Sequence, residues 1–170
     1  MSPVYTRRGD DGMTSVPGRK RLAKSHLLIA TLGDIDELSA VLGMARAHAA
    51  SADNIQLIEH IQQDLITLSA EIAVDDNTAR LSQRLTPEDI ARLEAGIDVR
   101  EAKLPGLTGF VLPGPPGASA VLHMARAVCR RAERCVVSLH REKPLRPELL
   151  AYLNRLSDLL FVMAREAAQP

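Results

Sequence analysis

Past residue 24 the apolar positions recur at helical spacing. Leu28, Leu32, Ile35, Leu38 and Leu42 mark a first helix over roughly 26–49, and Ile58, Ile61, Leu65, Leu68 and Ile72 a second over roughly 53–74. Thr86 before Pro87 reads as an N-cap with proline at the first helical position, where its missing N–H is no loss. That third helix runs through Ile90, Leu93 and Ile97 and stops before Pro105-Gly106. Residues 107–117, LTGFVLPGPPG, are a Pro/Gly-rich connection that cannot be regular helix. A fourth helix spans about Ala118 to Leu139, with Val121, Ala125, Val128, Ala132, Cys135 and Leu139 on one face. Pro147 opens a fifth, striped by Leu149, Leu153, Leu156, Leu160 and Met163. The only strand pattern is a few residues near Phe110. Five amphipathic helices with mostly short connections predict an all-α, up-and-down five-helix bundle.

Residues 1–24 break this rhythm. Gly9, Gly12, Pro17 and Gly18 occur there without apolar periodicity, which predicts a long loop, ordered by itself or by a ligand. The expected organisation is therefore a loop over 1–24 and a helical bundle over 25–170, one domain overall. The loop also unbalances a chain of zero formal net charge: Arg7, Arg8, Arg19, Lys20, Arg21 and Lys24 face only Asp10 and Asp11. A basic arm on a neutral body suits a local anionic ligand. Aromatic residues are 2 % of the chain, too few for base-stacking platforms, so no nucleic-acid partner is expected. No apolar run is long enough to span a membrane, and the polar start MSPVYTRRGDDG lacks the apolar core of a signal peptide. The expected compartment is the cytoplasm. Cys129 and Cys135, six apart in one helix, cannot be bridged there and read as reduced packing residues.

Four constellations could carry chemistry. In HMARAVCRRAERC, Arg126, Arg130 and Arg134 fall at i, i+4 and i+8 with Glu133 beside them. Like charges so placed repel by a few tenths of a kcal/mol per pair. The row is either a solvated face or one opposed by an anion or acid. In the first helix, Asp36 shares a line with Gly33, Ala40 and Gly43, a seam of small residues that another helix could approach closely. A carboxylate desolvated there needs a cation, and a fourth-helix arginine is the natural partner, within the chain or across a subunit interface. The alternative is an exposed Asp36. In the fifth helix Asn154, Asp158 and Phe161 form a line beside the leucine stripe, and Asn154 faces either solvent or a hydrogen-bonding partner. In the loop, TRRGDDGMTS offers glycines for close backbone approach and the hydroxyls of Thr6, Thr14 and Ser15, with Lys24 nearby. It could cradle phosphates, although it is not a Walker A loop. No Glu-x-x-His occurs, which removes the usual di-iron bundle. His26, His48, His60, His123 and His140 are scattered singly, and only His123, one turn before Arg126, lies near a candidate site.

Taken together, TRRGDDGMTS at 6–15, GDIDELSAVLG at 33–43, GFVLPGPPGASAVLHMARAVCRRAER at 109–134 and YLNRLSDLLFVMAR at 152–165 resemble the PduO-type ATP:cob(I)alamin adenosyltransferases. The stretches fall in family order and span most of the chain. The resemblance implies an enzyme that transfers the 5′-deoxyadenosyl group of ATP to the cobalt of cob(I)alamin, giving adenosylcobalamin and triphosphate. It implies a homotrimer of five-helix bundles with active sites between neighbouring subunits. By similarity the loop wraps ATP through Thr6, Arg7, Arg8, Gly9, Thr14, Ser15 and Lys24. Arg130, Arg131, Glu133, Arg134 and Asn154 complete the nucleotide site, with Arg130, Arg134 and Phe110 as the residues carrying catalysis. Asp36 and Arg126 match the pair that bridges subunits. Phe110 matches the hydrophobic residue that closes over the corrin and keeps its lower face unligated. Mg²⁺ would arrive on the ATP phosphates, with Glu133 as a candidate protein ligand. A reductase and a cobalamin-dependent enzyme are the implied partners.

The chain departs from the family pattern at Arg8, where a small hydroxyl residue is common, and at Ser25-His26, which replace an acidic pair. Ser39 stands where Asn is frequent, and Pro115-Pro116 stiffen the loop after Phe110. None of these removes a residue assigned to chemistry. The rival reading is a non-catalytic helical module that binds ATP and a corrinoid for delivery or sensing. A bundle with only solvated arginines is a third.

Overall fold

The computed structural model describes residues 5–16, 20–49, 51–74 and 81–169; Pro17, Gly18 and Arg19 of the expected loop lie outside them. Five helices make up the body: α1 (Leu27–Ala47), α2 (Ala52–Ala73), α3 (Pro87–Glu101), α4 (Gly117–Glu142) and α5 (Pro147–Glu166). Local chemistry sets where several of them begin. His26 Nδ1 accepts the Leu28 N–H at 3.1 Å and caps α1. Ser51 Oγ accepts the Asn54 N–H at 3.2 Å to start α2. At α3 the Asp89 carboxylate accepts both the N–H and the hydroxyl of Thr86, and Pro87 takes the first turn. Helix α4 runs three residues past the expected Leu139, with His140 and Arg141 in its last turn, where cations offset the helix dipole.

The helices pack in the order α2, α1, α4, α5, α3, each against its neighbour in that series. Helix α4 is central, and Ala125, Cys129 and Ala132, all wholly buried, keep its inner face narrow enough for α1 and α5 to close on it. Leu38 and Leu42 of α1 and Leu153, Leu156 and Leu160 of α5 are buried in the same core. Truncating any one of these leucines to alanine would cost about 2–5 kcal/mol. Polar ties close the series at its ends. Tyr152 of α5 donates its hydroxyl to Asp64 of α2 at 2.8 Å, and Arg92 of α3 reaches the same carboxylate at 2.7 Å. Buried Glu71 of α2 accepts the Leu85 N–H and an Arg146 N–H at 2.6 and 2.7 Å, fixing the entries to α3 and α5.

Two expectations need correction. The strand pair lies not near Phe110 but at β1 (Met13–Thr14) and β2 (Leu22–Ala23), antiparallel, within the N-terminal loop. Cys135 is half-exposed rather than a core residue, because its helical position turns it toward Asp34 of α1. That carboxylate, and then burial, push its thiol pKa up. Cys129 takes the core position instead and donates to the Leu153 carbonyl. The small-residue seam of α1 is not covered within the chain: Gly33, Asp36 and Ala40 are exposed. No described helix is long and apolar enough to cross a membrane.

Candidate active site

The N-terminal loop folds back on itself through the β1–β2 pair, which sets Met13 opposite Ala23 and Thr14 opposite Leu22. Two successive turns precede it, Asp10 N–H to Arg7 O at 3.3 Å and Gly12 N–H to Gly9 O at 3.2 Å, and the Lys24 N–H closes on Gly12 O at 2.8 Å. Gly12 sits at φ 78°, in the left-handed region that glycine tolerates, and Arg7 is held at φ 60°. A Cβ on Gly9 would stand 3.3 Å from Lys24 Nζ and 3.4 Å from Met13 O, so glycine lets the lysine lie across the loop. The fold thus gathers Thr6, Arg7, Arg8, Gly9, Thr14, Ser15 and Lys24 around one open cavity of about 1020 Å³. Asp10, Asp11, Met13 and Arg21 complete its lining. Hydroxyls and four cations, against two carboxylates, around an open bowl suit a polyphosphate.

The helix-borne residues form a second group. Arg130 and Arg134 project into solvent from α4. Asn154 of α5 donates Nδ2–H to Glu133 Oε1 at 3.1 Å, which gives the asparagine inside that helix a hydrogen-bonding partner. Arg131 has other partners: its Nε–H donates to Asp34 at 3.0 Å and a terminal nitrogen pairs with Glu37, both on α1. These bonds tie α4 to α1 and leave the other donors of a half-exposed guanidinium unused. The loop cavity is lined by loop residues alone, so Arg130, Glu133, Arg134 and Asn154 form a group apart from it.

Asp36 is exposed at the edge of a mainly apolar groove of about 390 Å³ between α1 and α2, with Leu32, Leu65, Ile66 and Ser39 also in its wall. Arg126 lies elsewhere, on α4, with its Cζ 5.9 Å from the Phe161 ring centroid. The nearby His123 is buried, and desolvation, then the charge of Arg126, hold its pKa below the usual imidazole range. Phe110 is fully exposed at 105 % and its neighbour Leu112 at 87 %. The Phe110 ring therefore does not pack into the core of the single chain. Among the described residues no group of three His, Cys, Asp or Glu side chains could hold a metal.

Sequence reasoning missed Asp11 and Arg21. Arg21 Nη1 and Nη2 donate to the two Asp11 carboxylate oxygens at 3.1 and 2.9 Å. The sign pattern of the loop held the signal, since Asp10 and Asp11 are its only acids among six cations.

Comparison with known proteins agrees with this architecture. Residues 4–167 match the family described as cobalamin adenosyltransferase. The chain is 42 % identical over 166 residues to a corrinoid adenosyltransferase of Citrobacter freundii, covering 97 % of this chain and 94 % of that protein. It is 41 % identical over 163 residues to the corrinoid adenosyltransferase PduO of the same organism, covering 95 % of this chain and 49 % of that one. The chain thus spans about half the length of the PduO relatives. Among solved structures, a variant PduO-type ATP:corrinoid adenosyltransferase from Lactobacillus reuteri complexed with cobalamin and ATP superposes with a TM-score of 0.91 at 33 % identity, covering 97 % of this chain and 93 % of that one. The helix order, the loop and the sequence matches all converge, and the chain belongs to the cobalamin adenosyltransferase family.

Proposed function

We propose that this protein transfers the 5′-deoxyadenosyl group of ATP to the cobalt of a reduced corrinoid and releases triphosphate. The observation that carries the reading is the loop cavity, where Thr6, Arg7, Arg8, Thr14, Ser15 and Lys24 surround a space open enough for a nucleotide triphosphate. The Lactobacillus reuteri relative complexed with cobalamin and ATP supports both substrates.

The chemistry suits this residue set. The cob(I)alamin cobalt supplies an electron pair to the ribose C5′, the C5′–O bond breaks, and the triphosphate departs with that bond pair. The substrate is itself the nucleophile, so the protein need not provide one. Negative charge grows on the leaving group, and Lys24, Arg130 and Arg134 are the groups positioned to neutralise it. Phosphate-bound Mg²⁺ would supply further charge neutralisation there. Asn154 holds Glu133, which would orient the arginines or a water on the phosphate-bound metal. Phe110 contributes an apolar surface without a ligand atom, keeping the lower face of the corrin bare so that cobalt is easier to reduce.

The active unit is a homotrimer whose sites form where the loop of one subunit meets α4 and α5 of the next. The separation of the half-sites supports this, as do the exposed Asp36 beside an apolar groove and the unpartnered Nε of Arg126. The setting is the cytoplasm, where ATP is present and the two free cysteines stay reduced. A reductase must deliver the electron that makes Co(I), and an adenosylcobalamin-dependent enzyme consumes the product.

The deciding experiment titrates the protein with ATP and follows the absorbance change from cob(I)alamin to adenosylcobalamin. Stoichiometric conversion with triphosphate release is expected. Binding of both ligands without conversion would make the protein a delivery or sensing module, and no ATP binding would reduce it to a structural bundle.

A further inference from the structure

We propose that Arg21, paired with Asp11, is a positioning residue that pins the phosphate loop in its receptive shape without itself touching ATP. The inference rests on the reading of this loop as the triphosphate site. Arg21 lines the cavity and would ordinarily be counted among its phosphate ligands, but its donors point the other way. Its terminal nitrogens reach the two Asp11 oxygens at 3.1 and 2.9 Å, one of them also meets the Arg8 carbonyl, and that same nitrogen lies 3.5 Å from the Met13 carbonyl. Asp11 Oδ1 also accepts the Met13 N–H at 3.0 Å. A planar fork gripping a carboxylate and a main-chain oxygen thirteen residues away is a clamp across the loop.

The loop needs such a clamp. Its two strands are two residues each, too short to hold a hairpin alone. Its turns also place Arg7 in a left-handed conformation that L side chains resist. Arg21 closes on the carbonyl directly after that residue, so the clamp stabilises the strained point. The charge of Arg21 is meanwhile neutralised by Asp11, leaving Arg7, Arg8 and Lys24 to meet phosphate.

The test is a double-mutant cycle on ATP affinity, using Arg21→Ala, Asp11→Ala and the double variant in the full-length protein. If Arg21 were a phosphate ligand, removing Asp11 would take a negative charge from beside the polyphosphate and free the arginine, and ATP would bind more tightly. The clamp requires the opposite. Each single variant should raise the KM and Kd for ATP about five- to tenfold, and the double variant should be no worse than either. Turnover at saturating ATP should change far less than KM, and Arg21→Lys should fail to restore affinity because an ammonium cannot fork. Tighter or unchanged binding by Asp11→Ala would overturn the proposal, as would additive losses in the double variant. Hydrogen exchange of residues 8–14 without ligand gives a separate readout, in which both single variants should exchange faster than wild type. Wild-type exchange in both would also overturn the clamp. A wild-type protein that does not bind ATP would sink the functional reading and the nucleotide role together, while the exchange data would still show whether the clamp exists.

Discussion

Arg126 lays its guanidinium over the ring of Phe161, and its Nε is buried without a hydrogen-bond partner. A buried donor left unpaired costs about 1–3 kcal/mol, so this arrangement is incomplete in the single chain. The exposed Asp36 of a neighbouring subunit would complete it. Asp36→Arg should therefore shift the proposed trimer to monomer in sedimentation velocity. The reciprocal swap Asp36→Arg with Arg126→Asp should restore the trimer. A swap that remains monomeric would remove the pair from the interface.

Arg130→Ala should abolish most turnover and leave the helical circular-dichroism signal intact. Arg130 projects outward from α4, away from the buried Ala125, Cys129 and Ala132, so its loss empties no core volume. Losing one donor to a developing negative charge costs about 10²–10³ in kcat in comparable sites. Near-native kcat and KM for ATP would contradict the assignment.

For Phe110→Ala, full exposure changes the stability forecast. A buried phenylalanine would cost about 3–5 kcal/mol on truncation, but a ring exposed at 105 % leaves no cavity behind. The melting temperature and ATP affinity should hold, while turnover starting from cob(II)alamin and a reductant collapses. The spectral signature of four-coordinate Co(II) in the presence of ATP should weaken too. Wild-type values of both would refute the role.

Stability should fall as pH drops from about 6.5, and His123 should be part of the cause. Its folded-state pKa is depressed by desolvation and then by Arg126, so the unfolded chain takes up the proton first. The contribution is complete above the unfolded pKa and is lost as pH falls through the folded one. Thermal melts between pH 7.5 and 5 should show a shallower decline for His123→Gln than for wild type. Parallel curves would exclude His123 as a contributor.

The helices were legible because burial imposes a 3.6-residue period: Leu38, Leu42, Leu65, Leu68, Leu153 and Leu156 were all expected in the core and are buried there. The cap at Thr86 was legible for a similar reason, since its chemistry is local. What failed to show was tertiary. Two-residue strands have no period, so β1 and β2 left no pattern. Arg131 looked like one more cation on a basic helix because Asp34 and Glu37 lie 97 and 94 residues away in sequence. The Arg21–Asp11 clamp was hidden by the net charge of the arm, which shows an excess of cations but not which of them are already matched. The candidate site was read largely from the motif resemblance, and the fold adds how its residues divide into two groups.

That division has a genetic consequence. In the proposed trimer, a chain crippled in its loop, such as one carrying Lys24→Ala, still offers a sound α4 and α5 to its neighbour. A chain crippled at Arg130 still offers a sound loop. Co-expressed, two inactive alleles should yield mixed assemblies in which some junctions unite both intact halves, and activity should reappear although neither gene product works alone. Two lesions in the same half could never rescue one another in this way.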